Sequence, residues 1–481
     1  MTQATRQPTV DHPLRLTFHP VQRCGARVIA ALAGRCSPAE VTASDLDGVT
    51  GRIAGDIVRA ATSPRGSSAY DWWKVLFALY PNAKPTHAGR SRDAGVLRPD
   101  VDAMFAADGP DGTVRPCVFC EHPAAVLWAK STLPMFDSSK MINALPPRVA
   151  GWPVCRACRT AVWAMPYGAW LTAGSATVLT CGDEAVERAF ITRGIARAER
   201  IQQLGFAGLA ANASAETVTL RALQAHAASA PADATLWIFK NDNQEPWLRV
   251  STTRGGVTAF LRRMCADPDC RRGWNELASA LAERDKAGHV TASGVPRVAR
   301  TLFDPADRPG DPPADRLAAE LIRQAGQIAH LTARTAVAWR ALFGLYMEVM
   351  HQMDTSQVKP ARELIVDWIT QEASPRGRFN EYVRAAASAY RLQQLLMRAS
   401  ARLLLDGRQP ADITAVAPAL LGEGPAGRDG WRLRGLLFFD VVADLTGRGA
   451  QVGHRSAAEQ DDDDAQDAVA ALGDDESEDY A

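Results

Sequence analysis

Apolar and polar positions alternate over residues 13–19, Pro-Leu-Arg-Leu-Thr-Phe-His, and this period of two predicts a short strand. Past Val21 the period lengthens to that of a helix, as far as residue 33. Ser44, ahead of Asp45 and Asp47, offers cap chemistry for a second helix running to Ala61. Residues 62–115 are rich in Gly, Pro, Ser and Asp and are interrupted by one aromatic helix over 70–80. A cysteine-bearing module fills 116–182, and a helical stretch follows over 183–229. The runs 234–241 and 247–251 are β-rich, and the connector Asp242-Asn243-Gln244-Glu245-Pro246 has turn chemistry, which predicts a hairpin over 234–251. Another helix starts at Val257.

Residues 304–313, Asp-Pro-Ala-Asp-Arg-Pro-Gly-Asp-Pro-Pro, have the composition of a linker. Beyond it Leu317, Leu321, Ile328, Leu331, Trp339, Leu342 and Tyr346 keep spacings near three, four and their multiples. Further helices are expected over about 360–372, 378–405 and 428–446, and short loops between four helices suggest a bundle. The expected fold is α+β. A mixed N-terminal region (1–115) leads to a four-cysteine zinc-ribbon-like insert (116–182) and an α+β region (183–303). After the linker come an all-α C-terminal helical bundle (314–455) and an acidic tail (456–481) expected to be disordered.

The 481 residues are 47% hydrophobic and 22% charged, enough apolar material for a large core in several domains. The formal net charge of zero hides an asymmetry. Eleven acids and no Lys or Arg lie from Glu459 onward, so the rest of the chain sets 54 bases against 43 acids, a charge of +11. Such a body suits a polyanionic partner. No run of about 18 apolar residues predicts a membrane span. The polar, proline-broken start lacks the apolar core of a secretory signal, so a reducing cytoplasm is expected. There, paired cysteines are first read as metal ligands.

Cys117-Val-Phe-Cys120 and Cys155-Arg-Ala-Cys158 are two such pairs. Each Cys-x-x-Cys turn sets two thiolates on one side, and two turns complete a tetrahedral sulfur shell that suits Zn²⁺. The 34 residues between the pairs exceed the spacing of a simple ribbon, which implies an inserted segment. Unliganded buried thiols, a degenerate zinc site and a redox pair are the alternatives. Four thiolates leave no open position, so the metal would be structural. Pro116 with the first pair matches half of a zinc deaminase signature, but none of His12, His19 and His87 has the Glu two residues on that the chemistry needs. Cys265 and Cys270 form a weaker pair, and Cys24, Cys36 and Cys181 read as small buried hydrophobes. Phosphate loops, nucleophile elbows and zinc-protease motifs are missing from the sequence, so no catalytic residue is assigned and no enzymatic activity is expected.

Arg384, Arg391 and Arg398 are seven apart, with Arg402 four further on, which would place all four near one helix face. Arg316, Arg323 and His330 repeat the spacing, followed by Arg334. Between residues 379 and 405 only Glu381 is acidic. An ordinary solvated helix mixes signs, so these arginines are candidate nucleic-acid contacts, with a plain solvated face as the alternative.

The chain resembles the CRISPR-associated CXXC–CXXC proteins, the large subunits of type I-B Cascade. The resemblance rests on Phe18-His19-Pro20 leading into Gly25-Ala26-Arg27-Val28-Ile29-Ala30-Ala31-Leu32, then Ser37-Pro38-Ala39-Glu40-Val41 and Ser44-Asp45-Leu46. The two cysteine pairs come next, followed by Trp237-Ile238-Phe239-Lys240-Asn241 and Val257-Thr258-Ala259-Phe260-Leu261. The order covers residues 13–264, a little over half of the chain. Arg23-Cys24 stands where the family usually has an acidic residue, and the acidic tail is outside the family pattern. The resemblance implies a non-catalytic subunit of a Cascade interference complex with a structural Zn²⁺. Its partners would be the CRISPR guide RNA, the Cascade backbone subunits, a double-stranded DNA target and the helicase–nuclease that it recruits. It would also read the protospacer-adjacent motif. Asn241, Asn243 and Gln244 at the hairpin tip are motif-reading candidates, since amides read base edges, although a solvated turn needs the same residues. A stand-alone zinc-ribbon DNA-binding adaptor and a zinc-dependent nucleic-acid enzyme are the alternative functions.

Overall fold

The computed structural model of the chain describes residues 13–108, 114–128, 151–209, 213–226, 232–241, 247–305, 315–326, 332–372, 375–422 and 430–450. The fold is mixed α+β, and its described residues fall into two compact units. The first unit comprises Met1–Thr253 with Phe303–Asp311, and the second comprises Arg254–Leu302 with Pro312–Ala481.

The first unit opens with helices α1 (Pro20–Leu32), α2 (Ala43–Thr62), α3 (Ser68–Leu79) and α4 (Ala94–Met104). Four short strands follow: β1 (Arg115–Pro116), β2 (Pro123–Ala124), β3 (Leu127–Trp128) and β4 (Trp152–Pro153). Then come α5 (Arg156–Gly168), β5 (Trp170–Leu171), β6 (Ala176–Cys181), α6 (Glu184–Leu204), α7 (Ala215–His226), β7 (Ala234–Lys240) and β8 (Trp247–Thr253). Helix α5 is the centre of this unit, with every residue from Ala157 to Gly168 buried. Gly25 lets α1 cross it at backbone distance, because a Cβ there would lie 1.6 Å from the Ala161 carbonyl oxygen.

The second unit contains α8 (Val257–Ala266), α9 (Pro268–Ala280), a hairpin of β9 (Glu283–Arg284) with β10 (Val290–Ala292), and α10 (Val295–Arg300). The chain then returns to the first unit as β11 (Phe303–Pro305), which completes an antiparallel sheet of order β11-β8-β7-β6-β5. The remaining helices belong to the second unit: α11 (Arg316–Ala325), α12 (Ala333–His351), α13 (Lys359–Thr370), α14 (Pro375–Ala386), α15 (Ala389–Leu405), α16 (Ala417–Leu420) and α17 (Gly430–Gly447). Asp315 ties this unit together. Its wholly buried carboxylate accepts from Arg254 at 2.7 Å, His351 Nε2 at 2.9 Å and Arg432 at 2.5 Å.

The hairpin over 234–251 is present, with Trp237 opposite Val250. Other expectations need correction. Residues 13–19 form no strand, because the Thr17 N–H and hydroxyl both donate to Gln22 Oε1 and bend the chain into α1. The cap of α2 is Thr42 rather than Ser44. Its hydroxyl accepts from Asp45 N–H while the Asp45 carboxylate accepts from Thr42 N–H, a reciprocal pair. Residues 62–115 also hold α4, and 116–182 also hold β5 and β6. The span 378–405 contains two helices, because Ser388 is extended at φ −136° and ψ 133°. The linker expected at 304–313 begins as β-structure, since Asp304 and Pro305 pair with Thr252 and Ser251.

The helical region beyond 314 is not the whole of the second unit. Helix α12 packs on α9, where a Cβ on Gly273 would meet the Ala338 carbonyl oxygen at 2.4 Å. The boundary therefore falls near 253, and α8–α10 join the bundle. The acidic tail lies outside the described residues.

Candidate metal centre

The first cysteine pair sits in a turn between β1 and β2, with Arg115 opposite Ala124 and Pro116 opposite Pro123. Cys117 N–H donates to the His122 carbonyl at 2.8 Å, and Glu121 N–H donates to the Cys117 carbonyl at 2.9 Å. Glu121 takes a left-handed φ of 65°, which doubles the chain back under the sulfurs. The second pair is delivered by β3 and β4, with Leu127 opposite Pro153 and Trp128 opposite Trp152. Val118 N–H then donates to the Pro153 carbonyl at 3.0 Å and stitches the two turns together. Cys155 caps α5, and Cys158 lies in its first turn.

The four sulfurs of Cys117, Cys120, Cys155 and Cys158 are buried and lie within 4.8 Å of one another. Those of Cys120 and Cys155 are 3.5 Å apart. Metal–sulfur bonds of about 2.3 Å give a tetrahedron with edges of about 3.8 Å. The set therefore reaches such a shell by contracting no more than about 1 Å. Hydrogen bonds from Cys120, Cys155 and Cys158 lower the pKa of the Cys117 thiol. The same sharing pushes the Cys155 and Cys158 thiols well above their ordinary range. Thiols must lose their protons to ligate a metal, so binding of a divalent cation at this sulfur set would release them.

The surroundings fix the sulfurs. Gln22 on α1 is buried, and its amide nitrogen donates to Cys158 Sγ at 3.7 Å and to the Arg15 carbonyl at 2.7 Å. His19 packs edge-on against Phe119 inside the first turn, with ring centres 5.0 Å apart. Arg159 is buried and donates to Asp108 at 3.0 Å, while Arg156 N–H donates to the same carboxylate at 2.9 Å. The sequence reading missed Gln22 and Arg159, because nothing local distinguishes them from other polar residues on helices. Cys24 and Cys181 are buried as expected, whereas Cys36 is exposed. No third ligand groups with Cys265 and Cys270 among the described residues.

The motif-reading candidates fare differently. Asn241 is buried, its N–H donating to the Ala78 carbonyl at 3.1 Å and its side-chain amide to the Leu79 carbonyl at 3.0 Å. It caps the C-terminal end of α3, and its burial keeps the side chain from the surface where a base would be met. Asn243 and Gln244 lie outside the described residues.

The arginine stripes break into separate pieces. Arg316 and Arg323 are on α11, Arg323 pairing with Glu320, whereas Arg334 begins α12 and His330 lies outside the described residues. Arg384 is on α14, while Arg391, Arg398 and Arg402 are on α15. Arg398 pairs with Glu381 at 2.7 Å and Arg402 with Asp406 at 3.3 Å. Arg316, Arg334, Arg384 and Arg391 are exposed and pair with no carboxylate among the described residues. The two seven-residue repeats therefore do not form continuous helical stripes, since extended Ser388 and the cap at Thr332 interrupt them. No helix among the described residues is long and apolar enough to cross a membrane. No family model matches the chain, and comparison with curated proteins and with solved structures finds no match.

Proposed function

We propose that the chain is the non-catalytic large subunit of a type I CRISPR interference complex, working in the cytoplasm. On this reading it binds the guide RNA complex, reads the protospacer-adjacent motif on double-stranded DNA and recruits the helicase–nuclease. The supporting observation is the buried four-cysteine centre, together with the motifs ordered around it. His19 packs on Phe119 and Gln22 reaches Cys158, so the first motif and the centre belong to one packed unit. The metal we assign is zinc, which four thiolates bind tetrahedrally with no position left for substrate. Its role is then to hold the two turns against α5. Guide pairing carries the sequence identity, so such a protein needs short-motif readout and backbone neutralisation rather than catalytic groups. Arg316, Arg334, Arg384 and Arg391 are the exposed candidates for neutralisation, and Asn243 and Gln244 remain those for readout.

Purification of the tagged full-length chain from its native cells tests the proposal. A short guide RNA and the backbone subunits co-elute if it holds. A lone chain that still binds DNA would favour the stand-alone adaptor. A nuclease activity that persists through purification would overturn the non-catalytic assignment.

A further inference from the structure

In the stretch from α1 to α4, Arg23 and Arg27 pair with Glu187, Arg35 with Asp45, Arg52 with Glu199, Arg59 with Asp56 and Arg98 with Asp102. The other three arginines of that stretch do not. Arg65, Arg90 and Arg92 pair with no carboxylate among the described residues, and Arg65 and Arg92 are exposed. The fold brings them together from two segments. Arg90 Nε donates at 2.8 Å to the carbonyl of Ala61, in the last turn of α2, and Arg65 lies four residues past that carbonyl in the turn leading to α3. Arg92 follows Arg90 by two residues. The two nearest acids in these segments are engaged elsewhere: Asp71 holds Lys74 at 2.8 Å and the Phe206 N–H at 3.1 Å, and Asp93 caps α4. Arg65 and Arg92 are close enough to Arg90 to oppose its charge, adding to the lowering that burial imposes.

Arg90 is also held rigid. Its guanidinium carbon lies 3.6 Å from the centre of the Trp73 ring, which also stacks with Tyr70 at 5.1 Å and Phe77 at 5.2 Å. A guanidinium fixed by a backbone carbonyl and an aromatic face has already lost its freedom, so contact with an anion costs it little further ordering. Three like charges gathered without a counter-anion repel one another, and an added anion relieves that repulsion.

We infer that Arg65, Arg90 and Arg92 form a binding site for the phosphodiester backbone of a nucleic-acid strand. The inference rests on the proposed role in a nucleic-acid complex and locates a contact in the first unit, whereas Arg316, Arg334, Arg384 and Arg391 belong to the second. The site selects phosphate and not base, so it takes RNA and DNA by the same chemistry.

The test is salt-dependent binding of the purified full-length chain to a labelled single-stranded RNA and, separately, to a DNA duplex of random sequence. Arg65→Gln/Arg92→Gln removes the two exposed charges and leaves Arg90 on Trp73. Arg52→Gln/Arg98→Gln changes the net charge equally, at arginines that already pair with carboxylates. The first variant should lower the slope of log affinity against log salt by about 0.7 per arginine on RNA or about 0.9 on duplex. The control variant should leave the slope as in the unchanged chain. Loss on one nucleic acid alone identifies which strand the site holds. Equal slopes for all three proteins, an equal fall in both variants, or no binding by the unchanged chain would each overturn the site. Co-elution of guide RNA and backbone subunits is measured separately, so the site can fail while the complex reading stands.

Discussion

Gln22 and Cys158 are 136 positions apart in sequence, and the amide of one donates to the sulfur of the other at 3.7 Å. The same amide group is fastened at its oxygen by Thr17 and at its nitrogen by the Arg15 carbonyl. Outer contacts of this kind orient a ligand and tune its basicity. Gln22→Leu, of similar volume, should therefore weaken metal retention about 10–100-fold in competition with a chelator. Unchanged retention would show that the amide serves only the turn at residues 15–17.

Asp315 carries the charge balance of the second unit. Burial alone would raise its pKa, but His351, Arg432 and Arg254 outweigh burial and hold it at about 2. Asp315→Asn removes the buried carboxylate that neutralises the half-buried Arg254 and Arg432 and should cost about 3–5 kcal/mol of stability. The pKa lies below the ordinary carboxyl value of about 4, so the stabilisation is complete above that pH and fades as pH falls through about 2. Denaturation of both proteins across that range should show the gap closing towards acid, whereas a gap independent of pH would contradict the assignment.

Asn241 is assigned here to capping α3, not to reading DNA. Asn241→Ala should lower stability by about 1–3 kcal/mol, because the Leu79 carbonyl loses its buried partner while the backbone bond to Ala78 stays. It should leave the preference among short DNA motifs unchanged, as measured by binding to a library of duplexes. A shifted preference with stability intact would restore the residue to readout.

A fragment covering 314–450 lacks α8, α9 and α10, and with them the surface that covers α12 at Ala338. It should be expressed as an aggregating or unfolded chain by circular dichroism. A soluble, cooperatively folding fragment would show that α9 is dispensable.

Much of this fold was legible from pattern. The hairpin, α1, α3, α13 and the cysteine pairs are encoded by local periodicity and spacing, which the structure leaves in place. What escaped depends on contacts distant in sequence. Ala387 and Ser388 continue a helical pattern by propensity, yet Ser388 is extended and starts α15 afresh against α14. Asn241 has the side chain of a turn residue, and only the approach of α3 assigns it to a cap. β6, Ala-Thr-Val-Leu-Thr-Cys, is short and apolar, and such runs cannot be separated from helix by period alone. The proline-rich stretch after β11 looked like a domain boundary because composition does not reveal that Phe303–Pro305 returns to a sheet formed 50 residues earlier.

The four-cysteine centre is read most directly by zinc K-edge absorption on the full-length chain, purified under reducing conditions. The account predicts about one zinc per chain with four sulfur neighbours at about 2.3 Å and no oxygen or nitrogen in the shell. A chain without bound metal, or a zinc whose shell includes water, would contradict a closed structural site formed by Cys117, Cys120, Cys155 and Cys158.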